Sequence, residues 1–234
     1  IVADCKRKIH QRDHLIWKGS KMKKLIIVVS VLAVFGAQAK VKLAAPFADG
    51  MVLQREMPIR VWGTADAGEK VHVKFADADV YVTADASGKW MAELSPMKAC
   101  KKGRVLAAND QKISDVLVGE VWLCAGQSNT ECPVWSKYPR YRDGWGAMML
   151  ATTDRSFVRL VKTPRAMAVN PKLDIKVSWM KMTPALLDDF KAGKKMPSAI
   201  GYYYALELAN ALDIPIGFVA NISEIQKNAL ISYL

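Results

Sequence analysis

The chain has 234 residues, 51% of them hydrophobic and 24% charged. That is a globular composition, long enough for one sizeable domain or a small one with part of another, and it excludes an intrinsically disordered chain. The net charge of +12 does not argue for nucleic-acid binding: residues 1–24 hold eight Lys/Arg against two Asp, a surplus of +6, and the remaining +6 is scattered instead of gathered on one face.

Residues 1–21, "IVADCKRKIHQRDHLIWKGSK", precede a good start at Met22. They read as an upstream segment that is not part of the mature protein. From Met22 the sequence "MKKLIIVVSVLAVFGAQA" places two lysines before an apolar run, Leu25 to Gly36, and ends in Ala37-Gln38-Ala39. A basic start, a short apolar stretch and a small-x-small site make a signal peptide over 22–39, with cleavage after Ala39. A bilayer span needs about 20 apolar residues, so this run is too short to anchor the chain. The expected product is secreted or periplasmic and free of the membrane. Cys5 belongs to the upstream segment, leaving Cys100, Cys124 and Cys132, an odd number that forbids complete pairing. Cys124 ends an apolar run and reads as a small buried hydrophobe; a Cys124–Cys132 disulfide stays open. The spacing is not that of a zinc site, and no metal is expected.

Residues 40–115 predict short strands and turns. An alternating strand is expected around Ile59–Trp62, then a turn at Ala65–Glu69. Lys70–Phe75 follows, with Val71, Val73 and Phe75 on one face and His72 and Lys74 on the other. Val80–Thr83, a turn at Asp85–Gly88 and Lys89–Leu94 repeat the pattern. Strands so spaced point to an antiparallel β-sandwich. After Asp115 the character changes. Val116–Cys124 is apolar enough for a parallel strand covered on both faces. Ser128–Leu150 reads as partly helical, broken near Pro133 and Pro139, and Phe157–Val161 as a buried strand. Ala166–Pro184 reads as irregular. Ser198–Leu212 is the best helix, with Ser198 as N-cap and Tyr202, Leu206, Ala209 and Leu212 at helical spacing. Pro215–Ala220 is the next strand. Alternating strands and helices over 116–234 predict an α/β domain with a parallel sheet, although about three strands are few for a complete one.

The chemistry gathers at Ser128. In "VLVGEVWLCAGQSNTECPV" it follows the first α/β strand, and ligands of such sheets bind beyond the carboxyl ends of strands. Gly126 permits a tight turn. The N–H groups that open the next segment favour negative charge, so Ser128 is a candidate nucleophile with its own N–H in an oxyanion hole, and Asn129 a further donor. The Gly-x-Ser-x-Gly elbow is not matched, because Thr130 holds the second glycine position. A capping or loop serine explains the same residues without a partner.

The stretch "DVLVGEVWLCAGQSN" resembles the nucleophile block of the sialate O-acetylesterase family, within the SGNH hydrolases. "LAAPFADGMVLQREMPIRVWGTADAGEKVHV", "ADASGKWMAEL", "VRLVKTPR" and "PSAIGYYYALELANALDIPIG" extend the likeness in order over roughly Ala44–Gly217. The resemblance implies a secreted or periplasmic enzyme that removes acetyl groups from O-acetylated sialic acid or another acetylated glycan, without metal or organic cofactor. It implies an N-terminal antiparallel β-sandwich followed by an SGNH-type three-layer α/β domain, incomplete here. Ser128 matches the nucleophile, and Gly126, Gln127 and Asn129 its surround. Thr130 stands where the family usually has Met. After "IPIG" the sequence departs from the family, and the later glycine-rich and Asp-x-x-His blocks are absent, so residues 116–234 are expected to be a truncated hydrolase domain.

The chain's histidines are His10, His14 and His72. The first two precede the signal peptide, and His72 reads as a solvated strand residue. None is a credible base for Ser128, and an unassisted serine hydroxyl is a poor nucleophile. Little esterase activity is therefore expected of these 234 residues alone. The alternative is a glycan-binding β-sandwich module using Trp62 and Trp90, although both tryptophans read more simply as core. A further possibility is that the parallel sheet leaves an apolar edge open and the chain aggregates.

Overall fold

The computed structural model describes residues 41–126, 128–134, 151–163, 174–192 and 198–222. The expected signal sequence 22–39, the segment 1–21 and the chain around Pro139 lie outside the described residues. Among the described residues no helix is long and apolar enough to cross a membrane.

The first part consists of strands β1 (Lys42–Leu43), β2 (Val52–Gln54), β3 (Ile59–Thr64), β4 (Lys70–Phe75), β5 (Ala78–Thr83), β6 (Lys89–Leu94) and β7 (Cys100–Ala108). Side-chain alternation makes these strands amphipathic. In β4, Val71, Val73 and Phe75 are buried, Lys70 and Lys74 are exposed and His72 lies between. The turn before β6 is closed by Asp85, whose Oδ1 accepts from Ser87 N (2.7 Å), Ser87 Oγ (2.7 Å) and Lys89 N (3.0 Å). These bonds, that from the Ser87 hydroxyl foremost, hold the Asp85 carboxyl below the usual carboxylate range.

Strands β1, β3 and β6 form an antiparallel three-stranded sheet. Eight further strands form a mixed sheet in the order β10-β9-β11-β8-β7-β4-β5, with β2 on β8. The two sheets share one apolar core, which includes Val61, Trp90 and Leu94 from the first and Val73, Phe75, Leu106 and Val116 from the second. Trp62 and Trp90 are 6% and 3% exposed, so neither presents a ring face to solvent.

The second part comprises β8 (Gln111–Gly126), α1 (Ser128–Glu131), β9 (Arg155–Lys162), β10 (Met180–Met182), α2 (Ala185–Lys191), α3 (Ala199–Leu212) and β11 (Ile216–Ile222). Ser198 caps α3, its Oγ accepting from Gly201 N at 3.2 Å. Tyr202, Ala205, Leu206 and Ala209 pack on Val158, Leu160, Ile216 and Phe218 in a second core. Leu212, expected on that face, is 45% exposed. The helix ends there, and Asp213, at φ +52°, turns the chain toward β11. Short β10 and helix α2 occupy part of the region read as irregular or unassigned. The result is a mixed, sheet-dominated α/β structure with few helices.

β8 is longer than its apolar stretch. The change of composition at Asp115 falls within it, marked by φ +55° at that residue. Residues 116–119 are buried, but Trp122 and Leu123 are 40% and 37% exposed, against the expectation of cover on both faces. The reason lies in the flanking strands. Val118 is paired with Leu53 of β2 on one edge and with Cys100 of β7 on the other. From Glu120 onward β11 takes over, parallel, beginning with Glu120 N donating to Pro215 O at 2.9 Å. The handover occurs at Gly119, where a Cβ would overlap the Pro215 carbonyl oxygen. On the other edge the Gln54 side chain substitutes for a strand, its Oε1 accepting from Val121 N at 2.8 Å.

One buried charge crosses between the two cores. Arg159 of β9 has a side chain only 4% exposed, and its Nη2 donates to Asp115 Oδ2 at 2.9 Å. Lys181 Nζ reaches the same oxygen at 2.8 Å. Arg159 Nε and Nη1 are buried without a hydrogen-bond partner. Burial pushes the guanidinium below its ordinary value, and Asp115 opposes that shift.

Two stability measurements follow. Gly119→Ala gains helix or strand propensity nowhere and meets backbone that cannot yield, so urea titration should show a loss of about 2–3 kcal/mol. Asp115→Asn keeps a residue that tolerates left-handed backbone but strands the guanidinium. Because Asp115 is one-third exposed, the loss should be about 2 kcal/mol, below that of a fully buried pair, while Arg159→Met should cost less.

Candidate functional site

Three parallel strands bring their carboxyl ends to one edge of the mixed sheet. Gly126 of β8 is opposite Ile222 of β11, and Ala220 of β11 is opposite Lys162 of β9. Ser128 opens α1 two residues beyond Gly126, at that same edge. Of the sequence-predicted site residues, Gly126 closes β8 and the backbones of Ser128 and Asn129 lie in α1. Gln127 and the side chains of Ser128 and Asn129 lie outside the described residues.

The turn is tight for a specific reason. A Cβ on Gly126 would overlap Thr130 Oγ1 and stand 2.9 Å from Thr130 Cβ. Thr130 therefore packs directly behind the strand end. An N-terminal helical turn leaves its first N–H groups without intrahelical partners, an arrangement that favours developing negative charge. α1 is held on two sides. Glu131 Oε1 accepts from Lys162 Nζ at 3.1 Å, tying it to the end of β9. Cys132 O accepts from Ala199 N at 2.8 Å, tying the next residue to the start of α3. Thr163 N and Oγ1 both donate to Ala220 O, at 3.0 and 3.3 Å, closing the adjacent strand ends. The Glu131–Lys162 pair joins residues 31 apart and has no signature in the sequence.

Cys100, Cys124 and Cys132 are unpaired. Cys124, expected to be buried, is only partly so, and that burial pushes its thiol up. Among the described residues no three His, Cys, Asp or Glu side chains cluster to hold a metal.

His72 is not brought to Ser128. It lies in β4, where its backbone O accepts from Asn109 N at 2.9 Å beside the β7–β8 turn, at the opposite end of β8. Its Nε2 is 2.5 Å from Asp79 Oδ1, and its ring stacks on Tyr81 with centroids 4.1 Å apart. The bond from His72, aided by Lys74, holds the Asp79 carboxyl below the usual range. This is a half-exposed surface histidine on the lysine-bearing face of β4, as the alternation predicted.

The contact behind the strand end is testable by a double-mutant cycle read by thermal unfolding. Gly126→Ala should destabilise by about 2 kcal/mol in the Thr130 background, and by less when Thr130 is Ala, because the overlapping Oγ1 has gone. Equal losses in both backgrounds would show that the two residues do not press on each other.

No family model matches the chain. The sialate O-acetylesterase of Rattus norvegicus is 28% identical over 203 residues, covering 80% of this chain and 36% of that protein. The sialate O-acetylesterase of Homo sapiens is 27% identical over 197 residues, covering 77% and 36%. Among solved structures, a carbohydrate acetylesterase from Xanthomonas citri aligns with a TM-score of 0.67 and 30% identity, covering 78% of this chain and 40% of that one. The chain thus spans little more than a third of the length of the curated relatives it matches. Over about four-fifths of its length the chain is thus similar to sialate O-acetylesterases and to a carbohydrate acetylesterase.

Proposed function

We propose that the protein is a carbohydrate O-acetylesterase, a serine carboxylic-ester hydrolase, acting on O-acetylated sialic acid or a related acetylated glycan. The observation that carries the reading is the place of Ser128, first residue of a helical turn directly after parallel strand β8. On this reading Ser128 Oγ bonds to the acetyl carbonyl carbon while its proton passes to a general base. The N–H groups opening α1 stabilise the oxyanion. The C–O bond to the sugar then breaks, and the sugar oxygen takes the proton. Water repeats the sequence on the acetyl-enzyme and releases acetate. Gly126, Gln127 and Asn129 shape the turn around the nucleophile.

The base is the missing element. His72 is committed to Asp79 and Tyr81 at the other end of β8, and His10 and His14 belong to the segment read as upstream of the signal peptide. We assign the base, and the acid that orients it, to residues outside these 234. The domain reading is a β-sandwich over 40–115 packed on the start of an SGNH-type domain over 116–234. Export directed by Met22–Ala39 would deliver the enzyme to the secreted or periplasmic space, where acetylated glycans are met.

Hydrolysis of 4-nitrophenyl acetate separates the parts of this reading. In a form of the protein with the length of its relatives, Ser128→Ala should lower kcat by about 10⁴-fold or more. A loss below tenfold would remove Ser128 from the mechanism. The 234-residue chain and its Ser128→Ala variant should both be slow and equal, and Ser128-dependent turnover there would place the base within these residues.

A further inference from the structure

Helix α1 is a single turn of four residues, Ser128–Glu131. A turn so short does not hold its shape alone, because nucleation fixes several dihedrals for little hydrogen bonding. Its geometry, and with it the backbone of Ser128, is set by what surrounds it. One tie is the steric contact of Thr130 with Gly126, and another is the backbone bond from Ala199 N to Cys132 O at 2.8 Å. A third is made by charge, Lys162 Nζ to Glu131 Oε1 at 3.1 Å.

Strand register shows what this pair bridges. Cys124 of β8 is opposite Ala220 of β11, and Ala220 is opposite Lys162 of β9, so the three share one row and one face. Gly126, two residues on from Cys124, turns that same face toward Thr130, so α1 lies over it. With neighbouring strands about 4.8 Å apart, β8 and β9 are about 10 Å apart. The pair therefore spans the middle strand, at the row where β11 carries the small, buried Ala220. The base of the bridge is clamped, because Thr163, next to Lys162, donates to Ala220 O through both N and Oγ1. The Lys162 and Glu131 side chains are 17% and 32% exposed. Charges so enclosed are screened less than a surface pair and are costly to leave unmatched, so each holds the other in place.

We infer that Lys162 is a positioning residue for the nucleophile: through Glu131 it fixes the orientation of α1 and so holds Ser128 in line for attack. Lys162 transfers no proton and touches no reacting atom on this account. Its effect on turnover comes from placement, where a displacement of about 1 Å can cost about 100-fold in rate. The inference rests on the reading of Ser128 as nucleophile for its effect on catalysis, and not for its effect on α1.

The two effects are measured apart. In the ¹⁵N-labelled 234-residue chain, amide exchange reads the tie itself: Ala199 N–H is protected by Cys132 O, and Tyr202 N–H by Ser198 O within α3. Lys162→Met should speed exchange at Ala199 about tenfold and leave Tyr202 as it was. Lys162→Arg should keep the parent rate at both. Lys101→Met, which breaks an exposed pair with Asp213 at the far end of α3, should leave Ala199 unchanged. In the form with the length of its relatives, Lys162→Met and Glu131→Gln should each lower kcat for 4-nitrophenyl acetate about tenfold or more, with KM within about twofold. The double variant should be no slower than either single one, and Lys162→Arg should retain the parent kcat. Exchange at Ala199 that does not change, exchange that rises equally at Ala199 and Tyr202, or a parental kcat in Lys162→Met would overturn the inference. A parental kcat in Ser128→Ala is the separate failure: it removes the nucleophile, and with it anything to position.

Discussion

The architecture turns on one residue of β8. At Gly119 the edge of the strand passes from antiparallel β7 to parallel β11, and the Pro215 carbonyl approaches so closely that no side chain fits. A strand can serve two ladders in succession only if the incoming chain reaches the backbone as the outgoing one leaves. Glycine permits that, and Gln54 supplies the acceptor for Val121 N on the opposite edge. Buried peptide groups are thereby paired through the handover, which is the condition for burying Val116–Val118 at all.

The rest of the second part follows from this geometry. With β11 set parallel to β8 and β9 parallel to β11, three carboxyl ends share an edge, and the first turn after β8 is placed there. Lys162 and the start of α3 then fix α1 from two directions. Arg159 sits where β9 passes Asp115 and bonds it through Nη2, while its Nε and Nη1 are buried without a hydrogen-bond partner.

Much of this was legible in the sequence wherever a period was present. The alternation in Lys70–Phe75 and Lys89–Leu94 gave strands with the expected faces, and Ser198 with Tyr202, Leu206 and Ala209 gave α3. β7 has no such pattern, because Lys101, Lys102, Gly103 and Arg104 interrupt it, and its pairing with β4 and β8 is what makes it a strand. Trp122 and Leu123 misled in the other direction. Hydrophobicity implied cover on both faces, whereas cover depends on which strands and helices flank the residue.

By itself the sequence determined the local periods, the turn at Gly126–Ser128, the family likeness and the position of its histidines, because each is a property of neighbours along the chain. Tertiary structure decided the rest. It set His72 at the far end of β8 from Ser128, made core of Trp62 and Trp90, pressed Thr130 against Gly126 and paired Glu131 with Lys162. Each of these is a distance between residues well separated in space or brought together by strand register and packing, and no spacing along the chain encodes it.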